Sequence, residues 1–277
     1  MSADTVLAKL LYFSAPLDGS RPYITINVNP ATGERGRNWS TEEHTVVVEN
    51  VRGKEHNYTL DTAGFQFVKK PAKHTQFVDE DDIKAQYYPE SSALLKEVTG
   101  ASRVVLFDHT VRRHRPGGSE TDETKRQPVA QVHVDQTPES ATARVHRHLP
   151  SFEAESLVKK RFQIINLWRP IAHPSIDYPL ALCDYRMVDR EKDLVPVALI
   201  YPDREGETFG VKYNETHRWK YQREMGTDEV VLIKCYDSSK DKDVAVFTPH
   251  TGFRDPTAPK DAPLRESIEL RALVFYD

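Results

Sequence analysis

The sequence has little of what the commonest cofactor-binding folds need. Its 277 residues include 12 glycines against 18 prolines, and no two glycines stand in Gly-x-Gly spacing. A dinucleotide fingerprint, a P-loop and the usual S-adenosylmethionine loop all rely on glycines that let the backbone approach a phosphate or ribose closely. Nicotinamide, ATP and methyl-transfer chemistry therefore lose their motifs. Gly-x-Ser-x-Gly and His-Glu-x-x-His are absent as well, which removes the hydrolases built on them. The two cysteines, Cys183 and Cys235, sit in the apolar runs LALCDY and VLIKCY. They cannot build a zinc ribbon and read as packing residues of a reducing cytosol.

No apolar run approaches the roughly 18 residues that cross a bilayer. The start, MSADTVLAKLLYFSAPLDGS, has no basic region ahead of its short apolar patch, so the expected location is cytoplasmic, away from membranes. With 38 basic and 42 acidic residues interspersed and a net charge of −4, the chain has no electrostatic reason to bind nucleic acid.

What the chain does have is strand. The 38% hydrophobic content is enough to fill a real core. The first hundred residues mix short strand candidates (PYITINVNP, HTVVVENV, FQFVKKP) with a helix over 80–100, interrupted at Pro89 and capped by Gly100. SRVVLFDHTVRR then reads as a strand, and the polar stretch RPGGSETDETKRQP follows, with 117–125 expected to form a mobile or surface loop. TPESATARVHRHLPSFEAESLVKKR reads as a helix with Thr137 as N-cap and Pro138 at its first position.

From there to the end, eight strand-like runs are separated by Pro, Gly, Asp and Ser clusters: RFQIINLWRP, YPLALCDYRMV, LVPVALIYP, TFGVKYN, HRWKYQRE, EVVLIKCYD, DVAVFTPH and ESIELRALVFYD. The charged run DSSKDKD reads as a solvated hairpin tip. The pattern predicts a mainly β protein with flanking helices around a double-stranded β-helix, or jelly roll, of cupin-like type. The chain is expected to form one domain, in which residues 1–100 are an N-terminal extension of mixed strands and helix and residues 101–277 the jelly-roll core.

Within QVHVDQ, His133 and Asp135 stand at i and i+2 of a strand, hence on one face, about 7 Å apart at Cα. Chance alone gives roughly two His-x-acid triplets in such a chain, so the motif gains meaning only from company. His250 supplies it, at the end of VAVFTPHTGF. Two imidazoles and a carboxylate form the facial triad of non-haem Fe(II) oxygenases, which leaves positions open on the metal. RESIEL adds Arg265 and Ser267, again on one strand face, a guanidinium and a hydroxyl suited to holding a dicarboxylate. His217 is the rival to His250, and Arg254 or Arg271 the rivals to Arg265. His146 and His148 fall about 200° apart on the expected helix and cannot chelate together.

QPVAQVHVDQTPESA, RFQIINLWRPI, DYPLALCDYRMV, HRWKYQREMGTDEVVLIKCYDS and PHTGFRDPTAPKDAPLRESIELRALVFYD resemble the fungal AsaB-like hydroxylase/desaturase family. These CmcJ-like proteins include gibberellin desaturase and belong to the Fe(II)/2-oxoglutarate-dependent oxygenases. The resemblance covers most of residues 95–277. It implies Fe(II) on His133, Asp135 and His250, and 2-oxoglutarate as cosubstrate with its far carboxylate on Arg265 and Ser267. It further implies dioxygen and a small secondary metabolite as partners, and an enzyme that hydroxylates or desaturates an unactivated C–H.

In NLWRPI, Asn166 is expected to donate to the cosubstrate's metal-bound carboxylate, while Trp168 and Arg169 line a substrate wall. Trp219 and Tyr221 share a strand face and are candidates for the same wall. A homodimer is the assembly this reading leaves open. Two other classes compete: a cupin-like metal-binding isomerase or binding protein with no use for 2-oxoglutarate, and a non-catalytic β-sandwich partner protein.

Overall fold

The computed structural model describes residues 4–118, 122 and 125–277. Along the chain the strands are β1 (Thr5–Ser14), β2 (Tyr23–Val28), β3 (Arg35–Arg37), β4 (Ser40–Asn50), β5 (Phe65–Lys69), β6 (Arg103–Arg113), β7 (His133–Val134) and β8 (Phe162–Pro170). They continue with β9 (Leu180–Cys183), β10 (Leu194–Ile200), β11 (Glu205–Val211), β12 (Trp219–Tyr221), β13 (Glu229–Asp237), β14 (His250–Gly252) and β15 (Glu266–Phe275). Two sheets result, in the orders β1-β4-β12-β9-β14-β7-β11-β10-β2-β3 and β5-β13-β8-β15-β6. The expected mainly β jelly roll is what the chain builds.

The smaller sheet is regular because its sequences are. In β15, Ile268, Leu270, Ala272 and Val274 join an apolar cluster with Ile83, Leu94 and Leu95 of the helical stretch 80–99. Its other face carries Leu273 and Phe275 into the space between the sheets, where they meet Leu182 of the larger sheet. All nine residues of β8, the central strand, are buried, as expected of a strand covered on both faces.

The bonds that Pro89 and Pro150 cannot make have different outcomes. Ahead of Pro89 the helix does not break but widens: Ile83–Tyr87 is a π turn, closed by the Tyr88 amide donating to the Ile83 carbonyl, and Tyr88–Thr99 continues as α-helix to Gly100 at φ 70°. The helix expected from Thr137 onward is instead two helices, Pro138–His148 and Ser151–Leu157. Leu149, just before Pro150, is extended at φ −128°, ψ 152°, because a proline excludes helical geometry from the residue preceding it. The capping at Thr137 is as expected, with its side chain accepting from the Ser140 amide.

Other expectations also change. TVLAKLLYFS, read only as an apolar patch, is β1 and forms an edge of the larger sheet. DVAVFTPH forms no strand before its last residue; β14 begins at His250. DSSKDKD is therefore no hairpin tip, and its first residue, Asp237, is buried against Lys234 and Arg161. Most of the expected loop over 117–125 lies outside the described residues.

Candidate metal centre

The site lies between the sheets, where β7 and β14 of the larger face β8 and β15 of the smaller. His133 and His250 are direct partners across the β7/β14 pair, so residues 117 positions apart share one face. Their rings lie 4.4 Å apart, centre to centre. Asp135, just past β7, brings Oδ1 to 3.2 Å from His133 Nε2 and 3.8 Å from His250 Nε2. The three potential ligand atoms fall within 4.8 Å of one another.

The orientation of the imidazoles is fixed from behind. His133 Nδ1 lies 2.8 Å from the Gln131 carbonyl and His250 Nδ1 3.0 Å from the Thr248 carbonyl. A carbonyl only accepts, so each Nδ1 carries the proton and each neutral ring turns the lone pair of Nε2 toward Asp135. Two lone pairs and a carboxylate facing one another repel unless a cation stands among them. The proton balance of the bare site shows the same demand. Against the depressing effect of burial, the hydrogen bond and charge of Asp135 raise the His133 imidazole above its usual range. Burial and the neighbouring His133 lower His250. Burial would raise Asp135, but His133, His250 and Arg271 hold it well below the ordinary carboxylate range.

Asp135 Oδ2 is held by a different set. Asn166 Nδ2 donates to it at 2.7 Å and to Glu269 Oε1 at 2.6 Å. Arg271 approaches Oδ2 at 3.7 Å while pairing with Glu269 at 3.3 Å and Asp108 at 3.0 Å. Asn166 was expected to reach a bound cosubstrate; its amide is instead engaged by these two carboxylates, and its Oδ1 is buried with no partner among the described residues. Cys235 Sγ is 3.8 Å from the same oxygen, and both cysteines are buried free thiols.

Arg265 and Ser267 line up as the sequence suggests. Arg265 Nε donates to Ser267 Oγ at 3.2 Å, Nη1 donates to the Tyr178 carbonyl at 3.0 Å, and the guanidinium lies 4.9 Å from the ring centre of Trp168. Arg265, Trp168, His133, Asp135 and His250 border one cavity, together with Arg112 and Glu269, which sequence reasoning overlooked. Gly252 borders it too, and only a glycine fits there: a Cβ would lie 2.7 Å from Tyr178 and 3.1 Å from Arg265 Nη1.

Three candidates for the substrate wall lie elsewhere. Arg169 projects from the opposite face of β8, donating to the Tyr87 hydroxyl at 2.9 Å and the Thr227 carbonyl at 3.0 Å. Trp219 pairs with Cys183, one position off the Leu182 that pairs with His250, so Trp219 and Tyr221 occupy the face of the larger sheet turned away from the site. Trp219 there donates to the Tyr12 hydroxyl at 2.7 Å. The rival ligand His217 lies away from the triad, buried against Asp193 at 2.9 Å. Arg254 is exposed, and Arg271 is committed to carboxylates.

Comparisons with known proteins agree in direction. The family described as an oxidoreductase/YMDC permease-like domain matches residues 10–275. The hydroxylase/desaturase efuI of Hormonema carpetanum is 36% identical over 100% of this chain and 97% of its own. The Fe(II)/2-oxoglutarate-dependent dioxygenase nvfI of Aspergillus novofumigatus is 34% identical over 96% of this chain and 95% of its own. The hydroxylase/desaturase asaB of Aspergillus flavus is 30% identical over 85% and 82%. A solved structure of the iron and alpha-ketoglutarate-dependent endoperoxidase NvfI superposes with a TM-score of 0.85 at 32% identity, covering 99% of this chain and 98% of that one.

Fold and site together define an oxidoreductase built on a jelly roll. More narrowly, the chain belongs to the fungal AsaB-like hydroxylase/desaturase family of the Fe(II)/2-oxoglutarate-dependent dioxygenases.

Proposed function

We propose that this protein is a non-haem Fe(II)/2-oxoglutarate-dependent oxygenase that oxidises an unactivated C–H of a small secondary metabolite. The observation that carries this reading is the convergence of two Nε2 lone pairs and one carboxylate oxygen on a common point, beside a buried guanidinium that borders the same cavity. The residues fit the cofactors chemically. His133, Asp135 and His250 offer a donor set suited to Fe(II), and Arg265 with Ser267 offers donors to the far carboxylate of 2-oxoglutarate.

When bound, iron and cosubstrate supply the oxidation, with dioxygen and 2-oxoglutarate consumed and succinate and carbon dioxide released as the substrate loses hydrogen or gains oxygen. The protein's own part is orientation. The backbone carbonyls of Gln131 and Thr248 aim the imidazoles, and Asn166 and Arg271 hold one oxygen of Asp135 so that the other faces the histidines. Trp168 shields one side of Arg265 from water. Leu180 and Ile233 add apolar wall, which suits a substrate that is partly hydrocarbon. The relatives are named both hydroxylase/desaturase and endoperoxidase, so one such site serves more than one outcome.

The test is anaerobic titration of the protein with Fe(II) and 2-oxoglutarate, read by the weak visible charge-transfer band of a chelated 2-oxo acid. The band is expected in the native protein and not in His133→Ala. Fe(II) binding without the band would favour the cupin-like reading. In that case Arg265→Ala would leave activity untouched, whereas the oxygenase would lose activity that excess 2-oxoglutarate partly restores.

A further inference from the structure

Three guanidinium groups border the cavity, and they are not equivalent. Arg271 is matched by carboxylates: Asp108 at 3.0 Å, Glu269 at 3.3 Å and Asp135 at 3.7 Å. Arg265 and Arg112 form no ion pair with any described carboxylate. Arg265, 2% exposed, gives its side-chain hydrogen bonds to a hydroxyl and a backbone carbonyl. Arg112 donates through Nη1 to the Gln127 carbonyl, at 2.9 Å. The two are brought together by the sheet, since Arg112 is the direct partner of Ser267 across the β6/β15 pair, and Ser267 is the residue that Arg265 contacts.

Two cations withdrawn from water beside each other, each held only by neutral oxygens, are costly unless an anion completes the set. The protonation balance reflects that cost. Burial, followed by the charge of Arg112, lowers Arg265 to about 10, and burial likewise lowers Arg112.

Arg112 faces the cavity because of a fault in β6. Arg271 pairs with Asp108 and Ala272 with Leu106, leaving Phe107 as an extra residue. Before it, Val105 points between the sheets; after it, Asp108, Thr110 and Arg112 share that face. Without the bulge His109, Val111 and Arg113 would turn inward, and the second guanidinium would come from a different position.

We propose that Arg112 is a second arm of the anion site, binding the distal carboxylate of the 2-oxo acid jointly with Arg265 and Ser267. This rests on the oxygenase reading and adds to it: the far end of the cosubstrate is held by two guanidinium groups from adjacent strands. A forked pair of this kind favours a dianionic 2-oxo acid over a monoanionic one far more strongly than a single arginine does.

The test compares two ligands on Mn(II)-loaded protein, where no turnover occurs. 2-Oxoglutarate and 2-oxobutyrate share the metal-binding head, and only the first has a distal carboxylate. Calorimetric titration of the native protein is expected to show a preference of about 100-fold or more for 2-oxoglutarate. Arg112→Met is expected to cut that preference about tenfold or more while leaving 2-oxobutyrate affinity unchanged, with Arg112→Lys intermediate.

An unchanged preference in Arg112→Met, or equal weakening of both ligands, overturns the proposal. Should Arg112→Met fail to fold, Arg112→Gln and Arg112→Lys decide the matter by the same ratio. The parent reading fails separately: native protein that binds neither ligand, or both alike, removes the oxygenase assignment. If Arg265→Met lowers the preference and the Arg112 variants do not, only the second arm is lost.

Discussion

Among the described residues, the buried pair His217–Asp193 and the group of His133 and His250 around Asp135 hold their carboxylates in different ways. In the pair His217–Asp193, both carboxylate oxygens are engaged by donors of the protein. Asp193 Oδ2 faces His217 Nε2 at 2.9 Å and accepts the Asp189 amide at 2.8 Å, while Oδ1 accepts from Asn214 at 3.0 Å. The ring is stacked on Tyr12 at 5.8 Å. Asp193 is thus held entirely by donors of the protein, while His217 Nδ1 is buried without a partner among the described residues. Around Asp135, Oδ2 accepts the Asn166 amide, while Oδ1 faces the Nε2 atoms of two rings whose Nδ1 atoms turn to backbone carbonyls. A histidine near an acid is thus no metal site by itself; what marks one here is the convergence of two Nε2 atoms on one carboxylate oxygen.

Substitutions can break this contrast. The largest effect is expected from Asp135→Ala, which should abolish 2-oxoglutarate-dependent succinate formation and Fe(II) binding; full turnover in that variant would defeat the assignment. Asn166→Asp keeps the shape but turns an oxygen toward Asp135 and Glu269, so Fe(II) affinity is expected to fall by about 10- to 100-fold, measured by anaerobic titration. An unchanged affinity would show that Asn166 does not position the carboxylate.

His217→Phe tests the pair with Asp193. It should leave Fe(II) affinity unchanged and cost about 1–3 kcal/mol of stability in denaturant unfolding, because Asp193 loses a buried partner. The same variant has a pH signature. Burial lowers the His217 pKa despite the nearby Asp193, so the unfolded chain binds this proton more readily than the folded one. Stability from this residue is present above the ordinary imidazole range and is lost as pH falls below about 6.5 and on through the depressed folded value. Unfolding free energy measured against pH should therefore slope less steeply in the phenylalanine variant.

How far the sequence discloses the site depends on what each residue's placement requires. His133, Asp135, Arg265 and Ser267 follow from strand alternation, and the direct pairing of His133 with His250 completes the group the motif suggests. The same alternation, carried two residues further along β15, points to Glu269, which shares the face of Arg265 and Arg271. Arg112 was not legible, because the bulge at Phe107 reverses the alternation within β6 and nothing local in RVVLFDHTVRR marks it. Trp219 and Tyr221 do share a face, as expected, but only the pairing of β12 with β9 determines that it is the wrong one. Asn166 depends on which carboxylates fold against it, a tertiary fact. The division of the helix at Pro150, by contrast, was readable from the proline itself.

The brevity of β7 and β14 has a mechanical consequence. Two and three residues long, they carry His133 and His250 with a single residue pair between them. A divalent ion held there would act as a clasp across a 117-residue loop, fastening the middle of the larger sheet at its thinnest seam. Binding energy at that point is also folding energy, so occupancy by metal should set how firmly the whole sandwich stays shut.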